Sequence, residues 1–411
     1  MLRGEFQGEL PTVRLPRGWI ILFSLLFLSG LIAFLVGVSG PQSQRAWQAY
    51  LTNYVFWTGL SFGAVLFVAI LNMADAVWGR PLKRLAEGLG TFLPLSFLLF
   101  WVLYFGREEI FHWVRHPLPE KQVWLNPGFL FARNGIGLFL LTALSLALIY
   151  YSVKGEKAMA GRSQGDHPEA KSGEEKKWRR QRVLSPIMGI AYAFVLSLLA
   201  FDLIMSLDPH WYSTLFGAYY FMGSFYTALA ALYLLSPLIL RAKGMREYLH
   251  PHHLHDLGKL VFAFCIFTGY LFFAQFLVIW YANIPEETRY LILRVRSNPW
   301  APVAWVILGM IFLTPFLGLL RRKVKTNPTA IIFISGIILV GMWLERFILV
   351  APSIWKGEAL PLGSLEILIT AGFFGMMALS LTFFLRRVPL LPISDPLFRK
   401  AMEPHEEKEK P

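Results

Sequence analysis

The fold class is decided by residues 184–240. Residues 184–205 read LSPIMGIAYAFVLSLLAFDLIM, residues 206–211 read SLDPHW, and a second apolar run covers 212–240. Each run can cross a hydrocarbon core of roughly 30 Å, which takes about 20 helical residues. Neither run alternates between apolar and polar residues as barrel strands do. Because lipid offers backbone N–H and C=O groups no other partner, we predict two membrane helices joined by a short turn.

The same pattern recurs along the whole chain. Ten apolar runs qualify or nearly qualify as spans, and their polar flanks set the predicted ends. The first run lacks a small-residue cleavage site after it, so we expect it to stay in the membrane. The sequence therefore predicts an all-α polytopic membrane protein with ten transmembrane helices. The predicted spans cover residues 18–38, 50–73, 88–105, 128–153, 184–205, 212–240, 260–281, 300–320, 327–350 and 363–385.

The composition agrees with a membrane protein and excludes other classes. Of the 411 residues, 55% are hydrophobic and only 16% are charged. Soluble domains are typically about 45–50% apolar and about 25% charged, so this chain has too few polar residues to cover a water-exposed surface. A soluble enzyme, a nucleic-acid binder and a disordered scaffold are therefore excluded, and lipid is expected around the chain.

The net charge of +13 indicates orientation. Because ten spans place both termini on one side, the loops fall into two sets. One set, with the termini, carries 29 of the 39 Lys and Arg residues, and the other carries eight. We call the first side the basic face and the second the opposite face. Lys and Arg accumulate on the cytoplasmic side of membrane proteins, so we expect both termini and the 154–183 loop to be cytoplasmic.

The charged connection 154–183 divides the chain. It mixes acidic and basic residues with Gly and Ser, which predicts a solvated, flexible cytoplasmic loop. The composition of Glu403–Pro411 predicts disorder. The resulting organisation is an N-terminal segment 1–17, four helices in 18–153, the loop 154–183, six helices in 184–385 and a cytoplasmic tail 386–411.

Cofactor ligands are scarce in this sequence. Cys265 is the single cysteine, and none of the nine histidines lies in the middle of an apolar run. One thiol cannot hold an iron–sulfur cluster or a covalently attached haem. We expect no covalently bound cofactor and no haem in this chain, so electrons in any redox reaction would pass through another subunit.

Five charged residues fall inside the predicted spans, all toward the opposite face. A charge at a helix centre costs roughly 2.5–3.5 kcal/mol on insertion scales, so each needs a partner or a task. They can snorkel or form ion pairs that tether helices, or they can line a polar pocket where protons leave or a quinone headgroup binds. We expect mutual pairing around the turn 351–362 for the last three. The five are Arg133, Asp202, Glu345, Arg346 and Glu366.

The fifth predicted span carries one stripe of recurring residues. Tyr192, Val195, Leu199, Asp202 and Ser206 are spaced by three and four, so they share a helix face. The polar members can seat a chain of waters for proton transfer, whereas Val195 and Leu199 favour helix packing around one satisfied acid. Both interpretations stay open. The proton-path candidates are Asp202, Tyr192, Ser206, Tyr226, Glu345 and Glu366.

The turn after this span contains Asp208, Pro209 and His210. Asp as N-cap followed by Pro at the first helical position is an ordinary helix start, which favours a structural role for Asp208. Asp208 and His210 are nevertheless candidates, with Arg133 and Arg346, for a polar or quinone-binding pocket.

Residues 250–256, HPHHLHD, form a dense histidine cluster on the basic face. Four histidines and an acid can bind a transition metal, but a proline sits among them and no second ligand group lies nearby, so we expect no metal. A titratable loop that collects protons through His253, His255 and Asp256 is an alternative. An amphipathic start of the seventh span is the favoured interpretation.

Residues 201–217, FDLIMSLDPHWYSTLFG, resemble one family. They are similar to the smaller of the two polysulfide-reductase-like (NrfD-type) membrane subunits of alternative complex III, a bacterial quinol:electron-acceptor oxidoreductase. The core SLDPHW, with Asp202 four residues upstream, carries the resemblance most sharply. The stretch HDLGKL at 255–260 and the ten spans fit it as well.

The resemblance implies more than the hydropathy pattern does. It implies two four-helix bundles, here spans two to five and six to nine, plus two flanking helices. It also implies a sister NrfD-like membrane subunit, an iron–sulfur subunit and c-type cytochrome subunits as partners in a respiratory or photosynthetic chain. If a quinone such as menaquinone binds, the resemblance favours a site at the sister subunit over one in this chain. The match to the family's motif implies functional roles for Asp202, Asp208 and His210.

Three functional hypotheses follow from these observations. The leading one is a non-autonomous subunit that helps couple quinol oxidation to proton translocation. A secondary transporter is the second, but such proteins often break helices in corresponding places of two halves, whereas Pro94 and Pro315 do not correspond. The third is a structural anchor of a redox complex, in which every buried charge only holds helices together.

Overall fold

The computed structural model describes residues 15–160, 168–240 and 250–398, without side chains for 155–160, 168–174 and 239–240. These residues form an all-helical protein, and ten of its helices are long and apolar enough to cross a membrane. Both the helical fold class and the count of ten are thereby confirmed. We number the spans 1 to 10 as Arg17–Ser39, Ser43–Met73, Arg80–Val102, Pro127–Lys154, Glu175–Leu207, Phe216–Leu238, Pro251–Ala282, Trp300–Gly318, Pro328–Ile354 and Ser364–Arg387.

Several spans are composite, and short helices cover the loops. Span 3 joins Arg80–Leu82, Lys83–Gly90 and Leu93–Val102, while span 8 joins Trp300–Leu308 and Thr314–Gly318 through the π-helical turn Gly309–Leu313. Spans 4 and 5 belong to the longer helices Pro127–Ala160 and Pro168–Leu203, the latter followed by Met205–Leu207. Span 6 comprises Phe216–Leu235 and the first part of the π-helical turn Ser236–Leu240. The remaining helices are Arg107–Ile110, His112–Arg115, Pro119–Lys121, Pro285–Val295 and Arg322–Thr326.

Span 2 is the central helix of the protein. Its most apolar stretch is 89% buried, whereas those of spans 1 and 8 are 11% buried. Spans 2 to 5 pack together as one group and spans 6 to 9 as another, and the groups meet where span 2 contacts spans 6 and 9 and where span 5 contacts span 6. Spans 1 and 10 pack against each other and against span 2.

The contact between spans 1 and 10 depends on two glycines. A Cβ atom added to Gly30 would lie 2.5 Å from the Cα atom of Gly372, closer than atoms can approach. Small residues allow helix backbones this close in a membrane, where packing rather than hydrophobic exclusion drives helix association. Spans 1 and 10 are therefore held to each other by close backbone packing.

Span 3 corrects the predicted distribution of charge. It begins at Arg80 rather than at residue 88, so Arg80, Lys83, Arg84 and Glu87 lie inside it, each at most 1% exposed. Arg80 and Lys83 donate to Asp395 at 2.9 and 2.8 Å, and Arg84 pairs with Glu87. The prediction that charges in the spans lie only toward the opposite face is therefore wrong, since Asp395 and a pairing within span 3 satisfy a second set of charges at the basic face.

The predicted flexible linker is mostly helix. Residues 154–160 continue the helix of span 4, and residues 168–183 belong to the helix that enters span 5. In the extension that enters span 5, the side chains of Glu175, Lys176 and Arg179 are exposed. Residues 161–167 and the tail Glu403–Pro411, predicted to be disordered, lie outside the described residues.

Candidate functional site

Asp202 lies at the opposite-face end of span 5 and has no solvent exposure. Its Oδ2 atom accepts hydrogen bonds from Arg133 Nε at 2.6 Å and Asn134 Nδ2 at 2.5 Å. Its Oδ1 atom accepts from Trp124 Nε1 at 3.1 Å and from Arg133 Nη2. A carboxylate has about four lone-pair positions, so these four bonds saturate it. The site joins span 5 to span 4 and to the loop before span 4.

Arg133 is held on its other side by aromatic rings. Its guanidinium carbon lies 3.8 Å from the centre of the Trp124 ring and 4.6 Å from that of Phe129. Cation–π contact of this kind fixes the orientation of an arginine while it pairs with a carboxylate. The geometry of Asp202 therefore favours the satisfied-acid interpretation of the sequence stripe.

Glu345 and Arg346 form the second buried pair at the same face. They are neighbours in span 9, and their side chains are 3% and 1% exposed. Arg346 Nη1 lies 2.9 Å from Glu345 Oε2 and donates a hydrogen bond to Oε1 at 3.2 Å. Among the described residues, Oε2 accepts no hydrogen bond. The carboxylate therefore keeps free acceptor capacity although it is buried.

The surroundings of this pair come mainly from span 6. Arg346 Nη2 lies 3.3 Å from the Tyr220 carbonyl oxygen and 3.5 Å from Ser224 Oγ, both long hydrogen bonds. Its guanidinium carbon lies 4.5 Å from the centre of the Tyr220 ring. The Tyr219 hydroxyl is a hydrogen-bonding neighbour of Glu345, and Tyr192 lies within electrostatic range of Arg346. Buried hydroxyl groups thus surround an ion pair that belongs to a single helix.

Glu366 pairs with a residue that the sequence prediction did not consider. Its Oε1 and Oε2 atoms accept from Arg45 Nε at 2.9 Å and Nη2 at 2.8 Å, a bidentate contact between spans 2 and 10. Oε2 also accepts from the Gly363 backbone N–H at 2.8 Å, which caps span 10. The expected pairing of Glu366 with Glu345 and Arg346 is therefore wrong, because the Glu366 carboxylate pairs with Arg45 of span 2 instead.

The remaining hydroxyl candidates donate to backbone carbonyls. Tyr192 donates to Phe221 at 2.6 Å, Ser206 to Asp202 at 2.6 Å and Tyr226 to Ile311 at 3.0 Å. Tyr192 thus faces span 6 near the Glu345–Arg346 pair, whereas Tyr226 faces the π-helical turn in span 8. The structure therefore does not join Tyr192, Ser206 and Tyr226 directly to one another.

Asp208 and His210 lie in a loop and not at a helix start. Span 6 begins at Phe216, so the N-cap prediction for Asp208 is wrong. The loop is held by Lys121, which donates to the Pro209 carbonyl, and by its buried Trp211. Asp208 is half-buried and His210 is exposed. The turn is fixed by tertiary contacts, which local cap chemistry could not reveal.

Trp211 belongs to a stack of three side chains that the sequence did not indicate. Its ring stacks on Tyr290 at 3.7 Å, and the guanidinium carbon of Arg294 lies 3.4 Å from the Tyr290 ring centre. Arg294 donates to the carbonyls of Ile348 and Leu349 at 3.1 Å, at the end of span 9. Burial raises the pKa of Tyr290 to about 12, so its phenol stays protonated at neutral pH.

The histidine cluster starts span 7 as a helix. His253 is buried, and its Nδ1 lies 2.8 Å from the Trp78 carbonyl oxygen. His255 Nδ1 lies 3.7 Å from Asp256 Oδ1, and Asp256 pairs with Lys259 at 2.9 Å. In the described part of the chain, no group of three His, Cys, Asp or Glu side chains is arranged to hold a metal. This arrangement corresponds to the amphipathic start of a span.

Comparison with known protein families decides the relationship. A family model described as polysulphide reductase, NrfD, matches residues 37–356. The chain belongs to the NrfD family. The match begins near the end of span 1 and ends just after span 9, so it covers the two groups of four spans. A search of curated proteins finds no match.

NrfD-family proteins are membrane subunits of multi-subunit redox complexes related to quinones. This NrfD-family chain is accordingly expected to act together with other subunits. The two groups of four spans, which contain both Asp202 and the Glu345–Arg346 pair, lie within the matched region. Glu366 and Asp395 lie outside it, in the flanking helix and the tail.

Three important residues of this NrfD-family chain were missed from the sequence: Arg45, Arg294 and Asp395. Each lies in a segment predicted as a loop or tail, where charge is normally solvated. The spacing of Arg80, Lys83, Arg84 and Glu87 by one to four residues was an available signal, because it places them on one helix face. Burial alone would raise the pKa of Asp395, but Lys83 and Arg80 outweigh it and hold that pKa below its ordinary value.

Proposed function

We propose that this chain is the smaller NrfD-type membrane subunit of an alternative complex III and contributes to quinol oxidation and proton conduction. Family membership and the motif at 201–217 support this assignment. In the proposal, redox cofactors reside on an iron–sulfur subunit and c-type cytochrome subunits. A sister NrfD-like subunit supplies most of the quinone site. The complex lies in a bacterial inner membrane, with the basic face toward the cytoplasm.

The Glu345–Arg346 pair is the observation that carries the proton role. Burying two charges is costly, and a buried ion pair offsets that cost only with good geometry and further hydrogen bonds. Glu345 and Arg346 are adjacent in one helix, so their mutual contact tethers no helices. To span 6, Arg346 adds two long hydrogen bonds and a cation–π contact with the Tyr220 ring. These contacts to span 6 are weaker than a direct ion pair between two helices, so we assign the pair a task in proton transfer.

The chemistry assigned to the pair is proton exchange at a carboxylate. Glu345 Oε2 has no hydrogen-bond donor among the described residues, so a proton can be taken up there. Arg346, whose Nη1 lies 2.9 Å from Glu345 Oε2, holds the carboxylate in position for this exchange. The pair lies toward the opposite face, where the proton leaves. Tyr192 and Tyr226 extend the path inward, and His253, His255 and Asp256 provide entry at the basic face.

The other candidates take supporting roles in this proposal. Asp202 and Arg133 hold the loop before span 4, and Glu366 holds spans 2 and 10 together. Asp202 is the weaker relay because all its lone-pair positions are occupied, and the Ser206 hydroxyl donates to the Asp202 backbone. Arg346 is the cation available to a quinone headgroup. Asp208 and His210 lie at the opposite face, where a partner subunit docks.

The test is a gentle purification of the tagged chain from its native membrane. The proposal expects co-purifying subunits that contain c-type haem and iron–sulfur clusters, together with quinol oxidation by the preparation. A chain that purifies without haem-bearing partners would overturn the proposal. Blue-native electrophoresis with haem staining separates these outcomes, and an unrelated tagged membrane protein from the same cells controls for adventitious capture.

A structural anchor is the second candidate function. The saturated pairs at Asp202, Glu366 and Asp395 favour it, because each joins segments far apart in sequence. The two candidates differ at Glu345. Unchanged proton release in an assembled Glu345→Gln complex would favour the anchor.

A further inference from the structure

A groove runs between spans 3 and 10 at the basic-face half of the protein. Its volume is about 510 Å³. Pro94 and Leu95 line one wall, Leu379 and Phe383 line the other, and Arg387 lies at its end. The family match ends before span 10, so the groove involves a helix outside the shared part of the chain.

The walls of the groove present hydrocarbon to an occupant. Thr91 lines it, but the Thr91 hydroxyl donates to the carbonyls of Gly88 at 2.6 Å and Ser380 at 3.2 Å. Pro94 has no backbone N–H. An occupant therefore meets an apolar surface and gains by burying an apolar chain there.

A cation without a carboxylate partner marks the mouth of the groove. The guanidinium carbon of Arg387 lies 3.7 Å from the centre of the Phe383 ring, which keeps the side chain beside the groove. Arg386 precedes it, and both arginines are exposed. Within the described ranges, neither forms an ion pair with Asp or Glu. An anionic group at this position would neutralise the charge of the two arginines.

The groove has the depth of one membrane leaflet. From Arg387 to Leu379 span 10 rises by eight residues, or about 12 Å at 1.5 Å per residue. Half of the roughly 30 Å hydrocarbon core is about 15 Å. An acyl chain that enters beside Arg387 therefore reaches the far end of the groove, at Leu379, near the membrane midplane.

We propose that this groove binds an acyl chain of an anionic phospholipid from the basic-face leaflet, whose phosphate contacts Arg387 and Arg386. Basic residues between membrane helices on the cytoplasmic side recognise anionic headgroups in this way. A zwitterionic lipid carries no net charge to match the arginines, and the same holds for a neutral quinone. The site fixes span 10 against span 3 and is independent of the proton role of Glu345.

Native mass spectrometry of the full-length chain, with any subunits that remain attached, tests this site. The probes are phosphatidylglycerol and phosphatidylcholine with identical acyl chains, and menaquinone as a competitor. The variants are Arg387→Gln at the mouth and Leu95→Trp in the groove. Arg321→Gln is the matched control, since Arg321 is an exposed basic-face arginine away from the groove. A thermal-shift measurement confirms that each variant is folded.

The proposal expects one site that prefers phosphatidylglycerol over phosphatidylcholine by about fivefold or more, as one arginine near the surface supplies roughly that factor. Arg387→Gln should abolish most of this preference, and Leu95→Trp should remove binding of both lipids at the site. Arg321→Gln should bind as the unaltered chain does. Equal binding of the two lipids, identical behaviour of Arg387→Gln and Arg321→Gln, or displacement by menaquinone would overturn it.

Discussion

Asp202 and Glu345 are both buried acids at the opposite face, yet their surroundings differ in two ways. Asp202 receives four hydrogen bonds, two of them from an arginine on another helix. Glu345 accepts from the next residue of its own helix and has the Tyr219 hydroxyl of span 6 as a further hydrogen-bonding neighbour. The comparison teaches that burial of a charge does not by itself indicate function. Saturation of the acid and the location of its partner separate a structural pair from one available for proton transfer.

The largest expected effect is on the structural side of the comparison. Arg133→Gln should lower the free energy of unfolding by about 3–5 kcal/mol, because the buried Asp202 would lose its compensating charge. Denaturant unfolding of the purified protein in detergent measures the change. Arg115→Gln is the control, since Arg115 pairs with Glu109 at the surface, where removal costs about 1 kcal/mol or less. An equal loss of unfolding free energy in both variants would show that the Arg133–Asp202 pair stabilises the protein no more than a surface ion pair does.

The next largest effect is on the functional side. Glu345→Gln should lower quinol-dependent proton release by about 10²-fold, the size of a lost acid–base group, while the complex still assembles. Proton release by the reconstituted complex in vesicles, measured with a pH-sensitive dye, gives the rate. The exposed Glu358→Gln is the matched control. If both variants release protons at the rate of the unaltered complex, Glu345 has no such role.

A smaller effect is expected from crowding Arg346. A Cβ atom at Gly223 would lie 3.0 Å from Arg346 Nη2, tighter than ordinary contact. Gly223→Ala should therefore displace the guanidinium slightly, cost about 1 kcal/mol of stability and slow proton release several-fold. Gly189→Ala serves as control, because its nearest neighbour, Met73 Cε, is 3.8 Å away. Equal proton-release rates in the two variants would show that the position of Arg346 is unimportant.

The smallest effect concerns the pH dependence of the saturated site at the basic face. The folded-state pKa of Asp395 is lowered, so Asp395 stabilises the protein above its unfolded-state pKa, and this stabilisation disappears as pH falls through the folded-state value. The stability difference between the unaltered chain and Asp395→Asn should be constant from pH 7 to about 5 and shrink below about pH 4. Thermal unfolding across this range measures it. A difference that changes between pH 7 and 6 would contradict the assignment.

The number and type of the spans could be predicted from the sequence because lipid leaves an apolar run of 20 residues little choice but a helix. The buried pair at 345–346 was visible for the same reason, since charges inside an apolar run are conspicuous. The proximity of Tyr192 to Arg346 was not visible, because it depends on how spans 5 and 9 both pack against span 6.

Other parts of the site depend on contacts between distant segments. Glu366 meets Arg45 across 321 positions, and Arg80 meets Asp395 across 315. No spacing rule on one helix reveals such partners, so the polar flank at 80–87 was assigned to a loop. The start of span 6 was misplaced because Trp211 is fixed by stacking on Tyr290, which local capping chemistry does not report.

The most direct test of the comparison removes both charges from each pair. The variants are Arg133→Gln with Asp202→Asn, and Glu345→Gln with Arg346→Gln, each examined for unfolding free energy and for proton release per assembled complex. We expect the first to lose about 2–4 kcal/mol through four weakened hydrogen bonds and to keep its proton release. We expect the second to stay within about 1 kcal/mol of the unaltered chain and to lose proton release. The reverse pattern, or equal effects on both quantities, would contradict the assignment of Asp202 to structure and Glu345 to function.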